Sequence, residues 1–250
     1  MPRFFVKSEQ IAQETINIVG EDVKHIKNVL RKMPGDIIEI CNRESGNAYK
    51  CEIEKIEEDI IINKIIRAID SDKNKIKIDI YQGLPKADKM ELIIQKSVEL
   101  GANAIIPVEM KRCVVKLDSK SENKKIERWQ KIAESAAKQS GRNNVPQIKN
   151  ITTISETAEK IREYDILIVA YENEKNNYIK KELTELKEKI QEKEEITIAI
   201  VIGPEGGLEE KEVDILKQAG AKIITLGERI LRTETVALNM LSIIMYEFSE

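Results

Sequence analysis

The sequence predicts an α/β protein in which a small β-barrel domain precedes a larger domain built on a parallel sheet. Short segments rich in Ile, Val and Tyr, separated by turn signals, fill roughly the first 70 residues. Helical patterns then alternate with short apolar runs up to residue 248. A polar stretch at 71–75 separates the two patterns. We therefore expect one domain over 1–70, a linker, and a second domain over 76–250.

The first domain is expected to combine several short strands with one helix. The strand-forming segments are FFV near the start, 36–42, 48–56 and 59–69. A helical pattern covers 21–32. Because several short strands must share one small core, a β-barrel is the favoured arrangement.

The second domain is expected to alternate strands with helices. The predicted strands are 76–82, 104–108, 165–171, 196–203 and 221–227. The predicted helices are 87–100, 122–140, 155–163, 176–194, 208–219 and 234–248. Continuous apolar strands alternating with helices are typical of a parallel sheet that is covered on both faces.

Composition and charge exclude several classes of protein. No apolar run approaches the ~20 residues that span a bilayer, and the start MPRFFVKSEQ does not resemble a signal peptide, so a cytoplasmic protein is expected. With a net charge of −3, the chain is not expected to coat nucleic acid indiscriminately. RNA, if bound, would be held by local basic patches.

The cysteine and histidine content argues against a metal site. The three cysteines, Cys41, Cys51 and Cys113, form no CxxC pair, so reduced thiols are expected. His25 is the one histidine in the sequence, which disfavours a histidine metal cage or a Ser-His-Asp triad. We expect no metal cofactor.

A glycine-rich segment, GPEGG at 203–207, follows the predicted strand ITIAIVI. Ligands in open parallel sheets bind outside the carboxyl ends of strands, where glycines let the backbone approach closely. A plain tight turn explains the segment equally well. It is neither a P-loop nor a GxGxxG motif. The carboxylates of Glu205, Glu209 and Glu210 would repel a phosphate and would favour a cationic sulfonium.

A second candidate loop follows the last predicted strand, which ends at Leu226-Gly227. The connector contains Arg232, and Thr233 is expected to cap the next helix. The connector is longer and more apolar than a turn requires, which suits an adenine pocket. Alternatively, its arginines are surface cations, while Ile230 and Leu231 fill the core.

These segments resemble the RsmE family, the ribosomal small-subunit RNA (uracil-N3)-methyltransferases of the SPOUT superfamily. The matching pieces, in the family's order, are MPRFFV, HIKNVLRKMPGD (25–36), QGLPKADKMELIIQKSVELGANAIIPVEMKRCVVK (82–116), ESAAKQSGRNNVPQI (134–148), IGPEGGLEEKEV (202–213) and LGERILRTETVAL (226–238). They cover nearly the whole chain. Val236 stands where the family pattern has Ala, a change that alters no charge.

The resemblance implies a fold, a cofactor and partners. It implies a PUA-like barrel followed by a SPOUT-type methyltransferase domain whose C-terminal part forms a trefoil knot. Knots are rare in proteins, and nothing else in the sequence indicates one. It further implies S-adenosylmethionine as cofactor, a homodimer, and N3 of a specific uridine in 16S ribosomal RNA as the methylated atom.

The resemblance also assigns the cofactor to three loops. By position in the motifs, the cofactor-binding residues are Ala170, Tyr171, Glu172, Gly203, Pro204, Glu205, Gly206, Leu226, Gly227, Ile230, Leu231, Arg232, Thr233, Thr235 and Ala237.

The implied chemistry requires a lone pair on N3, which becomes available once its proton leaves. No covalent adduct is needed, so Cys113 is not required as a nucleophile. Negative charge then spreads onto the uracil carbonyls, and an arginine fork suits it, with Arg232 the first candidate and Arg142 the second. The base remains open between Glu205 and a water. His25, in the other domain, is a poor candidate.

Basic residues are the candidates for holding RNA. They are Arg3, a first cluster of Lys24, Lys27 and Arg31 on one predicted helix face, a second of Lys111, Arg112 and Lys116, and a third of Lys138 and Arg142. A solvated surface explains each cluster as well.

Three other functions remain open. The chain could be a SPOUT methyltransferase with a different RNA target. It could be a catalytically silent RNA-binding protein, which would have no reason to bind S-adenosylmethionine. A nucleotide-binding enzyme that uses IGPEGG for phosphate is disfavoured, because no P-loop lysine follows and carboxylates lie nearby.

Overall fold

The computed structural model describes residues 3–69, 75–190 and 193–248, without the side chains at 119, 120, 186 and 188–190. The chain divides into two compact units. The first contains the residues up to 69 and the segment Ala137–Val145, and the second contains the rest. The inclusion of 137–145 in the first unit was not predicted. The boundaries 1–70 and 76–250 stay predictions, and most of the expected linker 71–75 lies outside the described residues.

The first unit contains a five-stranded sheet. Its strands are β1 (Arg3–Val6), β2 (Thr15–Val19), β3 (Ile37–Asn42), β4 (Ala48–Ile56) and β5 (Ile60–Ile69). They lie in the order β1-β3-β4-β5-β2, with β1 parallel to β3 and the other pairs antiparallel. Strand β2 was not predicted, although its buried Ile16 and Ile18 alternate with more exposed residues as in a half-buried strand.

One apolar core fills the inside of this sheet. All five strands contribute buried side chains, among them Phe4, Ile16, Ile38, Ile53 and Ile61. Strands that share a single core in this way must curve around it, which is the arrangement expected for a small barrel. Hydrogen bonds join the described strands in one series, with β1 at one end and β2 at the other.

The predicted helix at 21–32 is shorter and less regular than expected. It consists of α1 (Glu21–Lys24) followed by a π-helical turn over His25–Val29. Arg31 lies beyond this turn, in the left-handed region at a φ of 50°. The spacing of Lys24, Lys27 and Arg31 therefore does not place them on one α-helical face, and that prediction was wrong, because the wider turn changes the angle between successive side chains.

The second unit contains a seven-stranded sheet flanked by helices. Its strands are β6 (Ile76–Gly83), β7 (Ala104–Glu109), β8 (Gln147–Ile148), β9 (Thr152–Thr153), β10 (Ile166–Ala170), β11 (Ile196–Ile202) and β12 (Lys222–Ile224). Its helices are α2 (Lys89–Glu99), α3 (Ser119–Ser140), α4 (Ile154–Lys160), α5 (Ile179–Ile190), α6 (Glu210–Gln218) and α7 (Thr233–Phe248). α3 continues into the first unit at Ala137.

The sheet of the second unit is parallel throughout, as predicted. Its order is β12-β10-β11-β6-β7-β8, with β9 also paired to β7. The central strand β11 is buried along almost its whole length, which explains its continuous apolar sequence. Strands β8 and β9 were not predicted, since two residues give no periodic signal. No helix in the described part of the chain is long and apolar enough to cross a membrane.

The chain takes an unusual route after β12. This strand lies at one edge of the sheet, beside β10. The following segment, 225–232, leads to the start of α7, where Thr233 hydrogen-bonds the residue directly after β11. The segment therefore passes the carboxyl end of β10. The predicted trefoil knot requires a crossing of this kind, and the knot itself stays a prediction.

Candidate active site

Three loops meet where neighbouring strands of the parallel sheet end. Strands β10, β11 and β12 are adjacent and parallel, so their carboxyl ends lie at one edge. The loops enclose a cavity of about 490 Å³. Its lining consists of Lys89, Ala170, Tyr171, Glu172, Ile202, Gly203, Pro204, Glu205, Gly206, Gly207, Thr225, Leu226, Gly227, Glu228, Arg229, Ile230, Leu231, Arg232, Thr233 and Val236.

Thirteen of the fifteen residues that the sequence assigned to the cofactor lie in this lining; Thr235 and Ala237 do not. Successive residues of an α-helix point about 100° apart, so a helix that turns Val236 toward the cavity directs its two neighbours elsewhere. Ala237 is fully buried on α7. The assignment of the thirteen to a cofactor stays a prediction.

The glycine-rich loop after β11 is folded tightly against itself. A Cβ on Gly203 would lie 3.0 Å from the carbonyl carbon of Gly207 and 3.1 Å from the amide nitrogen of Leu208. Gly207 closes the turn by donating its N–H to the Pro204 carbonyl at 2.9 Å, and its φ of 70° is one that glycine adopts readily. The loop is therefore set by backbone contacts that only small residues permit.

A buried chain of hydrogen bonds fixes this loop to the start of α7. The Gln82 side-chain amide, on β6, donates to the Thr233 hydroxyl at 2.8 Å, and that hydroxyl donates to the Gly203 carbonyl at 2.7 Å. The Thr233 side chain thus holds the loop, where the sequence had suggested that it caps the helix. Gln82 was not predicted as a site residue, although a glutamine directly after the apolar Ile80 and Tyr81 of this strand is an available signal.

β6 approaches the same loop very closely. A Cβ on Gly83 would lie 2.7 Å from the Pro204 nitrogen and 2.8 Å from the Met110 sulfur. Real Cβ atoms do not make such contacts, so glycine is required for Pro204 to sit against β6. Gly83 is a structural determinant of the site that sequence reasoning missed.

The connector after β12 lines the cavity with both apolar and cationic side chains. Ile230 is 85% exposed, so it does not fill the core as the alternative interpretation proposed. Leu231 lies beside it in the lining. Arg232 is exposed at the same wall, and no hydrogen bond or ion pair is recorded for its guanidinium among the described residues. A cation without a protein partner is available to a ligand.

The carboxylates near the cavity differ from those expected. Glu172, Glu205 and Glu228 line it. Glu209 and Glu210 do not, because Glu209 caps α6 and Glu210 lies in its first turn. The expectation that these two would act on a ligand was therefore wrong. Both carboxylates lie at the start of α6, where the positive end of the helix dipole stabilises them.

Glu205 is bound from two sides. Its Oε1 accepts a hydrogen bond from the Lys86 backbone at 3.0 Å and lies 2.9 Å from the Lys89 Nζ. Burial by itself raises the pKa of Glu205, but the hydrogen bonds from Lys89 and from backbone amides outweigh it and lower the pKa. A carboxylate of lowered pKa is a weak base, so this geometry argues against Glu205 as the proton acceptor.

Arg142, His25 and Cys113 lie outside the cavity lining. Arg142 belongs to the first unit, donates to Asn144 at 3.2 Å, and has its pKa lowered to about 10 by burial. His25 belongs to the same unit, with its ring 6.4 Å from that of Phe4. Cys113 is buried, and burial raises its thiol pKa, which opposes nucleophilic chemistry.

In the first unit, four of the predicted RNA-binding cations have partners within the protein, one of them Arg142 through its bond to Asn144. Arg3 bonds Glu39 at 2.5 Å and also the carbonyl of Gly141. Lys138 lies 2.9 Å from Asp22. Lys27 donates to a backbone carbonyl, whereas Lys24 and Arg31 are exposed. These contacts give Arg3 and Lys138 a structural role, and their RNA contacts stay predictions.

In the second unit, the cluster of Lys111, Arg112 and Lys116 is exposed. Arg112 donates to the Gly206 carbonyl at 2.8 Å, and the Lys111 backbone donates to Glu212 at 2.8 Å. The cluster is thereby attached to the glycine-rich loop. A role in RNA binding stays a prediction for all three residues.

The chain matches two models of protein families, an RNA methyltransferase domain over 72–245 and an RNA methyltransferase PUA domain over 18–66. Among curated proteins, it is 40% identical to the ribosomal RNA small subunit methyltransferase E of Bacillus subtilis (strain 168), over 99% of this chain and 97% of the relative.

Two solved structures are similar over nearly the whole chain. One is a ribosomal RNA small subunit methyltransferase E from Neisseria gonorrhoeae bound to S-adenosyl methionine, with a TM-score of 0.84, 31% identity and coverage of 98% and 97% of the two chains. The other is the putative methyltransferase Lpg2936 from Legionella pneumophila in complex with the same cofactor, with a TM-score of 0.81, 25% identity and coverage of 98% and 96%.

The fold, the cavity and these matches define an RNA methyltransferase with an N-terminal PUA domain. Within that class, the chain belongs to the ribosomal RNA small subunit methyltransferase E family. The predicted family is confirmed, and so is the α/β fold with its parallel sheet and N-terminal PUA-like domain.

Proposed function

We propose that this protein transfers the methyl group of S-adenosylmethionine to N3 of a uridine in 16S ribosomal RNA. Membership of the family supports an RNA of the small subunit as substrate. The observation that carries the proposal is the cavity at the ends of β10, β11 and β12, because its three loops are those in which the family motifs lie.

The residues of the cavity fit this cofactor. A volume of about 490 Å³ is in the range of small-molecule sites. Ile230, Leu231 and Val236 supply apolar surface for an adenine, and the tight glycine loop leaves backbone groups for polar contacts. Glu172 and Glu228 would favour a positive charge. When bound, S-adenosylmethionine supplies a methyl group attached to a positively charged sulfur.

The protein's own residues would position the base and stabilise its charge. The target uridine must leave its stack, at a cost of a few kcal/mol. Arg232, unpaired among the described residues and exposed at the cavity wall, would bind the carbonyl oxygens that carry negative charge after N3 loses its proton. Because Glu205 is bound to Lys86 and Lys89, a water is the better acceptor for that proton.

The competing functions fit the site less well. A catalytically silent RNA-binding protein has no use for a cavity that requires glycine at 83 and 203 to keep its shape. A phosphate ligand would meet the carboxylates of Glu172, Glu205 and Glu228. We place the protein in the cytoplasm, where its ribosomal RNA substrate would be found.

Loss of the gene is expected to remove 3-methyluridine from 16S ribosomal RNA, because the enzyme proposed to make this nucleoside is then absent. Mass spectrometry of nucleosides from the purified RNA measures this directly. Returning the gene should restore the modified nucleoside. An unchanged amount of 3-methyluridine in the strain without the gene would contradict the proposed function.

We also propose that the protein is a homodimer. The resemblance supports this assembly, and so do large exposed apolar side chains on two helices that pack together, Leu92 on α2 and Tyr246 on α7. Light scattering at micromolar concentration should give twice the chain mass of 28.6 kDa. A mass near that of one chain would contradict the dimer.

A further inference from the structure

Lys89 is a cation of the cavity to which neither the sequence nor the proposed function assigns a contact with the substrate. It begins α2 and lines the cavity together with the glycine loop and Arg232. Its Nζ lies 2.9 Å from the Oε1 of Glu205 and 3.7 Å from the Oε2 of Glu234. The Oε2 of Glu234 is buried and has no hydrogen-bond partner among the described residues.

The stability of α2 does not explain this position. The first turn of a helix is its positive end, which favours carboxylates and disfavours lysine. The approach to the helix is itself strained, because Ala87 adopts a left-handed φ of 54° although it carries a Cβ. Unfavourable local features of this kind are typical of functional sites.

The surroundings of Lys89 keep its ammonium group charged. The hydrogen bond to Glu205 raises the pKa of Lys89, and the charge of Glu234 acts in the same direction. Burial and the positive charge of Arg232 oppose this but are weaker. An ammonium group has three N–H donors, and the recorded contacts use one hydrogen bond and one longer ion pair.

We propose that Lys89 is a second catalytic cation, whose ammonium group pairs with one of the two uracil carbonyl oxygens that flank N3 while Arg232 pairs with the other. The proposal rests on the proposed function, since it assigns a role within uridine methylation. Two cations that line one cavity match an imide that carries negative charge on both sides of its nitrogen.

The N3–H bond breaks and the proton passes to water, which leaves one negative charge shared by N3 and its two carbonyl oxygens. The N3 lone pair forms a bond to the methyl carbon, and the bond between that carbon and sulfur breaks with its electrons going to sulfur. The products are 3-methyluridine, neutral S-adenosylhomocysteine and a proton. Lys89 and Arg232 stay protonated throughout.

The test is single-turnover methylation of small subunits from a strain without the gene, at saturating S-adenosylmethionine and over a series of pH values. Lys89→Gln is expected to lower the rate at neutral pH roughly tenfold and to move the rising limb of the pH–rate profile about one unit higher, because loss of a nearby cation raises the pKa of the bound N3–H. Lys89→Arg, which keeps the charge, should restore most of the rate.

Two matched variants separate this role from a structural one. Lys96→Gln, on the same helix but paired with Glu99 and outside the cavity lining, should behave like wild type. Glu205→Gln breaks the same ion pair but keeps the Lys89 charge, so the rising limb of its pH–rate profile should not move to higher pH. If Lys89→Gln and Glu205→Gln lose cofactor affinity equally, and neither moves the profile, Lys89 only holds the loop and the proposal is overturned.

The wild-type reaction separates a failure of the proposed function from a failure of the role assigned to Lys89. If wild type forms no 3-methyluridine, the proposed function fails, and the role of Lys89 fails with it. If wild type forms it and Lys89→Gln matches the wild-type rate and profile, only the assignment of Lys89 fails.

Discussion

Arg232→Lys is expected to lower the single-turnover rate of methylation by roughly 100- to 1000-fold, with little change in cofactor affinity. Arg232 is exposed at the cavity wall and has no recorded protein partner among the described residues. Lysine keeps the charge but loses the planar fork that can bind two acceptors at once. Removal of one such donor from an oxyanion site costs about 3–4 kcal/mol, which corresponds to this range of rates.

Three outcomes of the Arg232 experiment have different meanings. A large loss of rate with normal affinity for S-adenosylmethionine supports the catalytic role. A loss of rate and affinity together would mean that Arg232 mainly holds the cofactor or the connector. A near-normal rate would make it a surface cation and end the catalytic assignment. Arg162→Lys, an exposed arginine outside the cavity lining, is the matched control.

Gly203→Val is expected to weaken binding of S-adenosylmethionine by about 100-fold or more, which is about 2.8 kcal/mol. Already the Cβ would lie 3.0 Å from the Gly207 backbone, and the two methyl groups of valine add further overlap. The loop must then move, although its carbonyl at 203 is held by Thr233. Overpacking of this kind typically costs 1–3 kcal/mol.

Titration calorimetry measures this change, and Gly203→Ala serves as a graded comparison with a smaller expected loss. Circular dichroism and thermal unfolding show whether the variant is folded. A side chain at 203 would meet the loop's own backbone. Unchanged affinity in a folded Gly203→Val protein would remove the glycine loop from the cofactor site.

The parallel sheet could be predicted because two of its strands are apolar along almost their whole length. β10 and β11 are buried between helices, so each is a nearly continuous run of apolar residues that differs clearly from the amphipathic helices. The two candidate loops were predictable for a related reason. In such a sheet, the segment after a strand lies at the edge where ligands bind.

Contacts between distant segments could not be predicted in this way. The Gln82–Thr233–Gly203 chain joins residues up to 151 positions apart, and no periodicity reports it. Lys89 is brought to the cavity by the position of α2, which the sequence does not specify. The end of the first helix was missed because a π-turn and the left-handed Arg31 leave no clear stop signal in the pattern.

The most direct test of the central claim is methylation of purified small subunits from a strain without the gene, with the purified protein and S-adenosylmethionine. Mass spectrometry of the nucleosides in the recovered 16S ribosomal RNA then identifies the product. 3-Methyluridine is expected to appear only when protein and cofactor are both present. A methyl group on another atom, or no methylated nucleoside at all, would contradict it.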